Sequence, residues 1–481
     1  MELSRRNFLK KTAAAAGALL SAPSLSSFGS PSETKTNFII IFTDDQGYQD
    51  LGCYGSPLIK TPNLDRMAEE GIRFTDFYCA SPVCSPSRAA LLTGCYPPRV
   101  NIPGVLFPGE ERGLIGLHPD EITIADLLKT RGYATCCIGK WHLGHKPDFL
   151  PTRQGFDMYY GIPYSNDMRI DPTMELAPDI KLNKGMTVER IRTEEPKGHW
   201  VPLMRNEKVI EYPCDQSTLT KRYTEQAVEF IKENKNKPFF LYLPHTMPHV
   251  PLFASEKFRG KSKRGLYGDV IEEIDWSVGE ILKTLKRLDL DDNTLVIFTS
   301  DNGPWLEFKE NGGCSLPLRD GKFTTYEGGM RMPCIMRWPG TIPAGQVCSE
   351  VASTIDFLPT IATLTGAQVP QDRIIDGKSI VPLMQNAKSS KTPHKDFFYY
   401  REGAVLEAVR SGPWKLRQAV PEDHEENQEV VVELYNLEDD ISEKNNLAEK
   451  HPDIVKHLSK RMKRFDRQLK ANARPPGKIK T

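Results

Sequence analysis

Four short runs in this chain are apolar at almost every position: Asn37–Phe42, Tyr133–Ile138, Phe239–Leu243 and Leu295–Thr299. A strand with no polar alternation has no face for water, so both its faces must be covered, and this is the condition of strands in parallel α/β sheets. Helical patterns separate the runs, at Ile122–Lys129, Leu219–Lys232 and Tyr267–Leu288. The last places Ile271, Ile274, Val278, Ile281, Leu282 and Leu285 on one stripe. Strands alternating with helices predict right-handed βαβ units and a mostly parallel central sheet flanked by helices.

Near residue 385 the texture changes. Gln385–Thr392 is polar, and Phe397–Arg401, Leu406–Arg410, Trp414–Gln418 and Val430–Asn436 read as short antiparallel strands. A charged helix is expected from Asp453 to Lys470, followed by a basic tail, Ala471–Thr481, that should fray. The expected division is residues 1–30 as a removable signal, 31–385 as the large domain, and 386–481 as a smaller antiparallel subdomain with its terminal helix. Residues 162–215 lack a clean period and are read as loops over a cleft.

Each apolar run ends in a polar cluster. The clusters are Thr43-Asp44-Asp45, Gly139-Lys140-Trp141-His142, Pro244-His245-Thr246-Met247-Pro248-His249 and Ser300-Asp301-Asn302-Gly303. Ligands of open α/β sheets bind beyond the carboxyl ends of the strands, so the four clusters should converge on one site. Asp44, Asp45, Asp301 and Asn302 offer only oxygen, which selects calcium or magnesium over zinc. Three carboxylates drawn together also need a cation to offset their repulsion. Lys140 and the histidines suit an anionic substrate.

Lys+Arg and Asp+Glu both number 63, so nothing in the charge balance marks nucleic acid as the partner. Met1–Ser30 has a basic start, a short apolar run and small residues beyond it, and is read as an export signal. Ser4-Arg5-Arg6-Asn7-Phe8-Leu9-Lys10 is similar to the twin-arginine type. The apolar run is too short to span a bilayer, and no stable membrane anchor is expected. The chain should therefore meet an export machinery and work in the periplasm or outside the cell. Ten cysteines in such a chain invite disulfides, although no pairing can be assigned from spacing. Cys136-Cys137 reads as core filling.

Ser81-Pro82-Val83-Cys84-Ser85-Pro86-Ser87-Arg88, followed by Leu91-Leu92-Thr93-Gly94, is the most specific segment. Pro86 fits the first turn of a helix, which sets Cys84 at the helix N-terminus and Arg88 on the same face. A thiol there is expected to be acidic. The Cys-x-Pro-x-Arg core resembles the signature of type I sulfatases. Other segments carry the same resemblance: Asp44-Asp45, Gly139-Lys140-Trp141-His142-Leu143-Gly144, His249, Asp301-Asn302, Lys322 with Glu327-Gly328-Gly329, and Leu434-Tyr435-Asn436-Leu437. It covers about residues 36–450 and points to the arylsulfatase A and N-acetylgalactosamine-6-sulfatase branch, in a bacterial version.

The resemblance implies an alkaline-phosphatase-like fold and hydrolysis of sulfate esters, with sulfated carbohydrate as the natural substrate and aryl sulfates as synthetic ones. It implies that Cys84 is converted to formylglycine by a dedicated maturation system and acts as the nucleophile. One calcium ion would be held by Asp44, Asp45, Asp301, Asn302 and the modified Cys84. Arg88 and Lys140 would stabilise the nucleophile's oxygens, Lys322 would bind a sulfate oxygen, and His249 would protonate the leaving alcohol. His142 would take a proton to free the bound sulfate. His245 is expected beside the substrate and is second to His249 for the acid role. Two other readings stand beside this one: a phosphodiesterase or phosphonate monoester hydrolase on the same scaffold, and an inactive carbohydrate-binding relative. The loops at 99–118, 162–215 and 304–320 would set the substrate.

Overall fold

The computed structural model describes residues 35–109, 112–194, 199–420 and 429–479. The export signal expected at residues 1–30 lies outside them.

The four apolar runs form strands Asn37–Thr43, Ala134–Ile138, Phe239–Pro244 and Thr294–Ser300. With Met158–Gly161 they make the parallel centre of a 12-stranded mixed sheet. Across the sheet the order is Thr294–Ser300, Asn37–Thr43, Phe239–Pro244, Ala134–Ile138, Met158–Gly161. All five carboxyl ends therefore lie on one edge. Apolar packing covers both faces, with Ile40 and Phe42 on one side and Ile39 and Ile41 on the other. The helices Leu219–Glu233 and Leu266–Arg287 pack on the second face. The helix expected from Ile122 begins at Ile124, because Thr123 and Asp126 close a reciprocal capping box.

The segment 162–215 is not only loops. Leu176–Leu182, Leu203–Arg205 and Lys208–Tyr212 extend the large sheet at one edge. These strands are short and irregular: the register shifts between Leu176 and Lys181, and again between Leu203 and Met204. That irregularity hides the two-residue period from the sequence.

The C-terminal part is a four-stranded antiparallel sheet, Phe397–Arg401, Val405–Ser411, Trp414–Ala419 and Val431–Asn436, with the helix Pro452–Ala471 against it. The tail does not fray as expected. Arg474 pairs with Glu121 at 2.6 Å, and Gly477–Lys478 forms a small ladder with Ile115–Gly116. All ten cysteines are free thiols, and Cys136 and Cys137 are both buried.

Large and small parts meet through buried charge. Glu327 accepts from Lys415 (2.9 Å), Tyr78 (2.7 Å) and Tyr399 (3.1 Å). Lys415 also pairs with Glu443 at 2.8 Å, and Asp76 is shared by Arg331 (2.8 Å) and Arg410 (2.6 Å).

Candidate active site

The strand ends are stitched together by their backbones. His245 N–H donates to the Phe42 carbonyl (2.8 Å), Asp301 N–H to Thr43 (3.1 Å) and Lys140 N–H to Pro244 (2.8 Å). Gly139 makes this possible, since a Cβ there would lie 1.8 Å from the Pro244 oxygen. Gly303 plays the same part beside Gly328, where a Cβ would come within 1.9 Å of the carbonyl oxygen. Asp45 (φ 64°) and His142 (φ 58°) take left-handed conformations that non-glycine residues rarely adopt, and such strain gathers at functional sites.

The carboxylates sit among cations, all of them buried. Asp44 Oδ2 accepts from Lys140 Nζ (2.5 Å) and lies 3.3 Å from Arg88. Asp301 Oδ2 accepts from Arg88 at 2.6 and 3.1 Å, and its Oδ1 accepts from the Asp45 N–H at 3.2 Å. Asp45 accepts from Lys322 Nζ (2.8 Å) and from Asn302 Nδ2 (2.8 Å). Burial works to raise the Asp44 carboxyl, but Lys140 and Arg88 outweigh it and hold it well below the usual carboxylate range. Burial, aided by the Asp44 charge, instead pushes Asp301 up to about 7. Asp44 Oδ1 and Asn302 Oδ1 are buried and make no hydrogen bond within the protein. Asp44, Asp45 and His249 bring ligand atoms within 4.8 Å of one another. Orphaned hard oxygens beside clustered carboxylates are what a calcium-sized cation would satisfy, so the donor set fits that ion.

Cys84 is the first residue of the helix Cys84–Thr93, and Pro86 lies in its first turn. The acidic thiol expected from that position is not found. Burial pushes Cys84 up to about 11, against the pull of Lys140 and Lys322, with Asp44 and Asp301 adding to the rise. A helix N-terminus lowers a thiol pKa where water still reaches it, and here only 2% of Cys84 is exposed. Unmodified Cys84 should therefore be inert to iodoacetamide at pH 7 in the folded protein and react on unfolding. Peptide mass mapping of the two states checks this, and rapid alkylation of the native thiol would contradict it.

The histidines divide. His142 Nε2 donates to the Leu106 carbonyl (2.8 Å), which leaves Nδ1 a bare, buried acceptor without a partner. Burial, reinforced by Lys140 and Arg88, keeps its pKa well below the ordinary value, so the ring is neutral. His249 Nδ1 faces two oxygens, Asn166 Oδ1 (3.0 Å) and the Val250 carbonyl (2.6 Å). Nδ1 must carry the proton, and Nε2, 3.6 Å from Asp45, is the atom that faces the carboxylates. His245 is set apart from this group. Its ring is fully buried against Tyr223 and Ser277 of the two long helices, and burial drops its pKa to about 3. Its side chain falls on the helix-covered face of the sheet, so the expected contact with substrate is not available to it.

Three further residues stand in the site without having been picked out from the sequence. Ser165 accepts from Lys140 Nζ (3.2 Å), Asn166 braces His249, and Trp305 lies 4.4 Å from the Lys322 ammonium and 5.9 Å from the His249 ring. Ser165 and Asn166 follow Met158–Gly161, a fifth parallel strand. The rule of polar clusters after strands would have found them, had that four-residue strand been visible. Phe323 N–H donates to the Pro82 carbonyl (3.0 Å) and so ties the Lys322 loop to the Cys84 segment.

A family model described as Sulfatase matches residues 36–367, and one described as N-sulphoglucosamine sulphohydrolase, C-terminal, matches residues 319–468. The chain is 41% identical to N-acetylgalactosamine-6-sulfatase of Canis lupus familiaris over 411 residues, covering 82% of this chain and 74% of that one. It is 42% identical to arylsulfatase A of Homo sapiens over 388 residues, covering 79% and 74%. Among solved structures it resembles Ps i-CgsB in complex with k-i-k-neocarrahexaose, with a TM-score of 0.77, 31% identity, and coverage of 92% and 94%.

Proposed function

The chain belongs to the sulfatase family, and from that premise we propose that it hydrolyses sulfate esters of carbohydrates, releasing inorganic sulfate at the Cys84 site. The observation that carries this reading is the pair of orphaned oxygens, Asp44 Oδ1 and Asn302 Oδ1, set among three buried cations around Cys84. That arrangement suits a divalent ion and an anionic ester together. Named relatives acting on sulfated sugars, and a neighbour holding an oligosaccharide, support carbohydrate as the substrate class.

Asp44, Asp45, Asp301 and Asn302, with the modified Cys84, would hold calcium, which when bound supplies positive charge to the sulfate oxygens. Formylglycine at position 84 would supply a hydrated aldehyde oxygen as the nucleophile. The chain's own side chains do the rest. Lys140 and Lys322 bind and orient the sulfate, their ammonium groups fixed by Asp44 and Asp45 before substrate arrives. Arg88 is already committed to Asp301, Asp44 and the Lys140 carbonyl, and holds the acids in register. His249 keeps Nδ1–H on Asn166 and Val250, so it would deliver a proton to the leaving oxygen from Nε2 as the imidazolium and return to the neutral ring. His142 offers its bare Nδ1 as the base that follows.

In this reading residues 1–30 are an export signal, 31–385 the catalytic domain and 386–481 the subdomain that closes it, and a maturation system converts Cys84 before export. Among the described residues no helix is long and apolar enough to cross a membrane.

Parallel turnover of nitrophenyl sulfate, a sulfated monosaccharide, bis-nitrophenyl phosphate and a phosphonate monoester tests the reading. The sulfates are expected to be the better substrates. Faster turnover of the phosphorus esters would favour the phosphodiesterase or phosphonate hydrolase alternative, and no turnover at all would favour an inactive binding relative.

A further inference from the structure

The terminal helix, Pro452–Ala471, shows a surface that the catalytic reading leaves unused. Leu458, Met462 and Leu469 are buried, and Phe465 stacks on Phe398 at 3.8 Å and meets Tyr96 at 5.5 Å. These contacts fix the rotation of the helix. Its opposite side carries Lys456, Lys460, Lys463, Arg467 and Lys470, all exposed. The spacing of four, three, four and three residues keeps them on one stripe at 3.6 residues per turn, and the stripe runs ~21 Å along the axis.

On other helices several exposed cations have acidic partners. Lys221 pairs with Glu225 (3.2 Å), Lys283 with Glu280 (3.0 Å) and Arg190 with Glu194 (2.7 Å). On the terminal helix the partly buried Arg461 pairs with Asp396, and of the exposed cations Lys470 pairs with Asp466 at 2.8 Å. Those two pairs involve none of Lys456, Lys460, Lys463 and Arg467, for which no ion pair with a described residue is found. Like charges three and four residues apart destabilise a helix. Successive cations rise only ~5 Å along the axis, less than the screening length at physiological salt, so their potentials add. The whole chain is neutral, which makes this a local feature.

We propose that this stripe is a docking surface for a polyanionic, sulfated polysaccharide, the polymer whose sulfate esters the active site hydrolyses. It rests on the carbohydrate sulfatase reading for the identity of the polymer. The stripe lies apart from the catalytic residues. Cys84 begins the helix Cys84–Thr93, and the terminal helix packs near the other end of that helix through Tyr96. A long chain could rest on the stripe while its end or a neighbouring chain reaches the site, whereas a monosaccharide sulfate would gain nothing from it.

The test compares the full-length protein with the triple variant Lys460→Ala, Lys463→Ala, Arg467→Ala. Immobilised dextran sulfate, neutral dextran and phosphatidylglycerol vesicles serve as probes at about 0.1 M salt. The parent protein should bind dextran sulfate in a salt-dependent way and ignore neutral dextran, and the variant should bind at least ~10-fold more weakly. Nitrophenyl sulfate turnover should be unchanged. Equal binding by the variant, or tighter binding of the parent to the vesicles than to dextran sulfate, would overturn the proposal. A parent protein that binds the polymer through these residues but turns over no sulfate ester would keep the docking surface and sink the activity reading alone.

Discussion

Replacing Asp301 by Asn is expected to remove bound calcium and lower kcat/KM by about 10²–10³-fold, the cost typical of losing one preorganised electrostatic element. The substitution is chosen over Ala because Asp301 has two jobs. Its Oδ2 receives both the Nε and Nη2 of Arg88, and its Oδ1 receives the Asp45 N–H. Ala would take from a buried guanidinium its nearest carboxylate, leaving Asp44 at 3.3 Å, and confuse unfolding with loss of metal. Asn keeps an oxygen to accept from Arg88 and removes the charge, at the cost of the acceptor that receives the Asp45 N–H. Metal analysis of the purified variant, read beside its thermal unfolding, separates the outcomes. A folded Asp301→Asn protein with undiminished calcium would show that Asp301 belongs to Arg88 and not to the ion.

The second large effect depends on the leaving group. General acid catalysis is worth about 10²–10⁴-fold when the departing alkoxide is poor, and little when it is a nitrophenolate. His249→Ala should therefore cripple turnover of a sugar sulfate far more than turnover of nitrophenyl sulfate. His142→Ala should slow both substrates equally, with a burst of alcohol release before the steady state, because its base acts after the alcohol has gone. His245→Ala should leave both patterns intact, since that ring is packed between the long helices. Equal losses on both substrates in His249→Ala would remove the acid role from His249.

Much of the fold was legible because the central strands are apolar at almost every position, which calls for a sheet covered on both faces. The site was legible for a related reason, since Asp44, Lys140 and Asp301 each stand just beyond a strand that could be recognised. What stayed hidden followed from length and regularity. Met158–Gly161 is too short to declare itself, and Ser165 and Asn166 were lost with it. The alternation in 176–212 is broken by register shifts, so edge strands passed for loops. His245 and His249 are four residues apart in a single polar cluster, and only three dimensions show that one faces the carboxylates and the other the helices. The thiol of Cys84 was misjudged because position on a helix is local, whereas desolvation depends on everything packed around it.

The charged seam between the large and small parts bears on whether the protein can be divided. Asp76, Glu327 and Arg331 come from one side, and Arg410, Lys415 and Glu443 from the other. One set has an excess negative charge, the other an excess positive charge, and only together do they cancel. A cut in the polar stretch near residue 385, where the sequence changes texture, would leave each fragment with buried ions lacking a counter-charge, at about 3–5 kcal/mol for each broken pair. Glu327 also heads the Gly328-Gly329 segment that meets Asn302-Gly303 through the Gly303 N–H (3.0 Å to the Gly329 carbonyl). The small sheet is thus an internal counter-ion for the part that holds the candidate site. Two segments that look like separable modules are expected to fold and unfold as one.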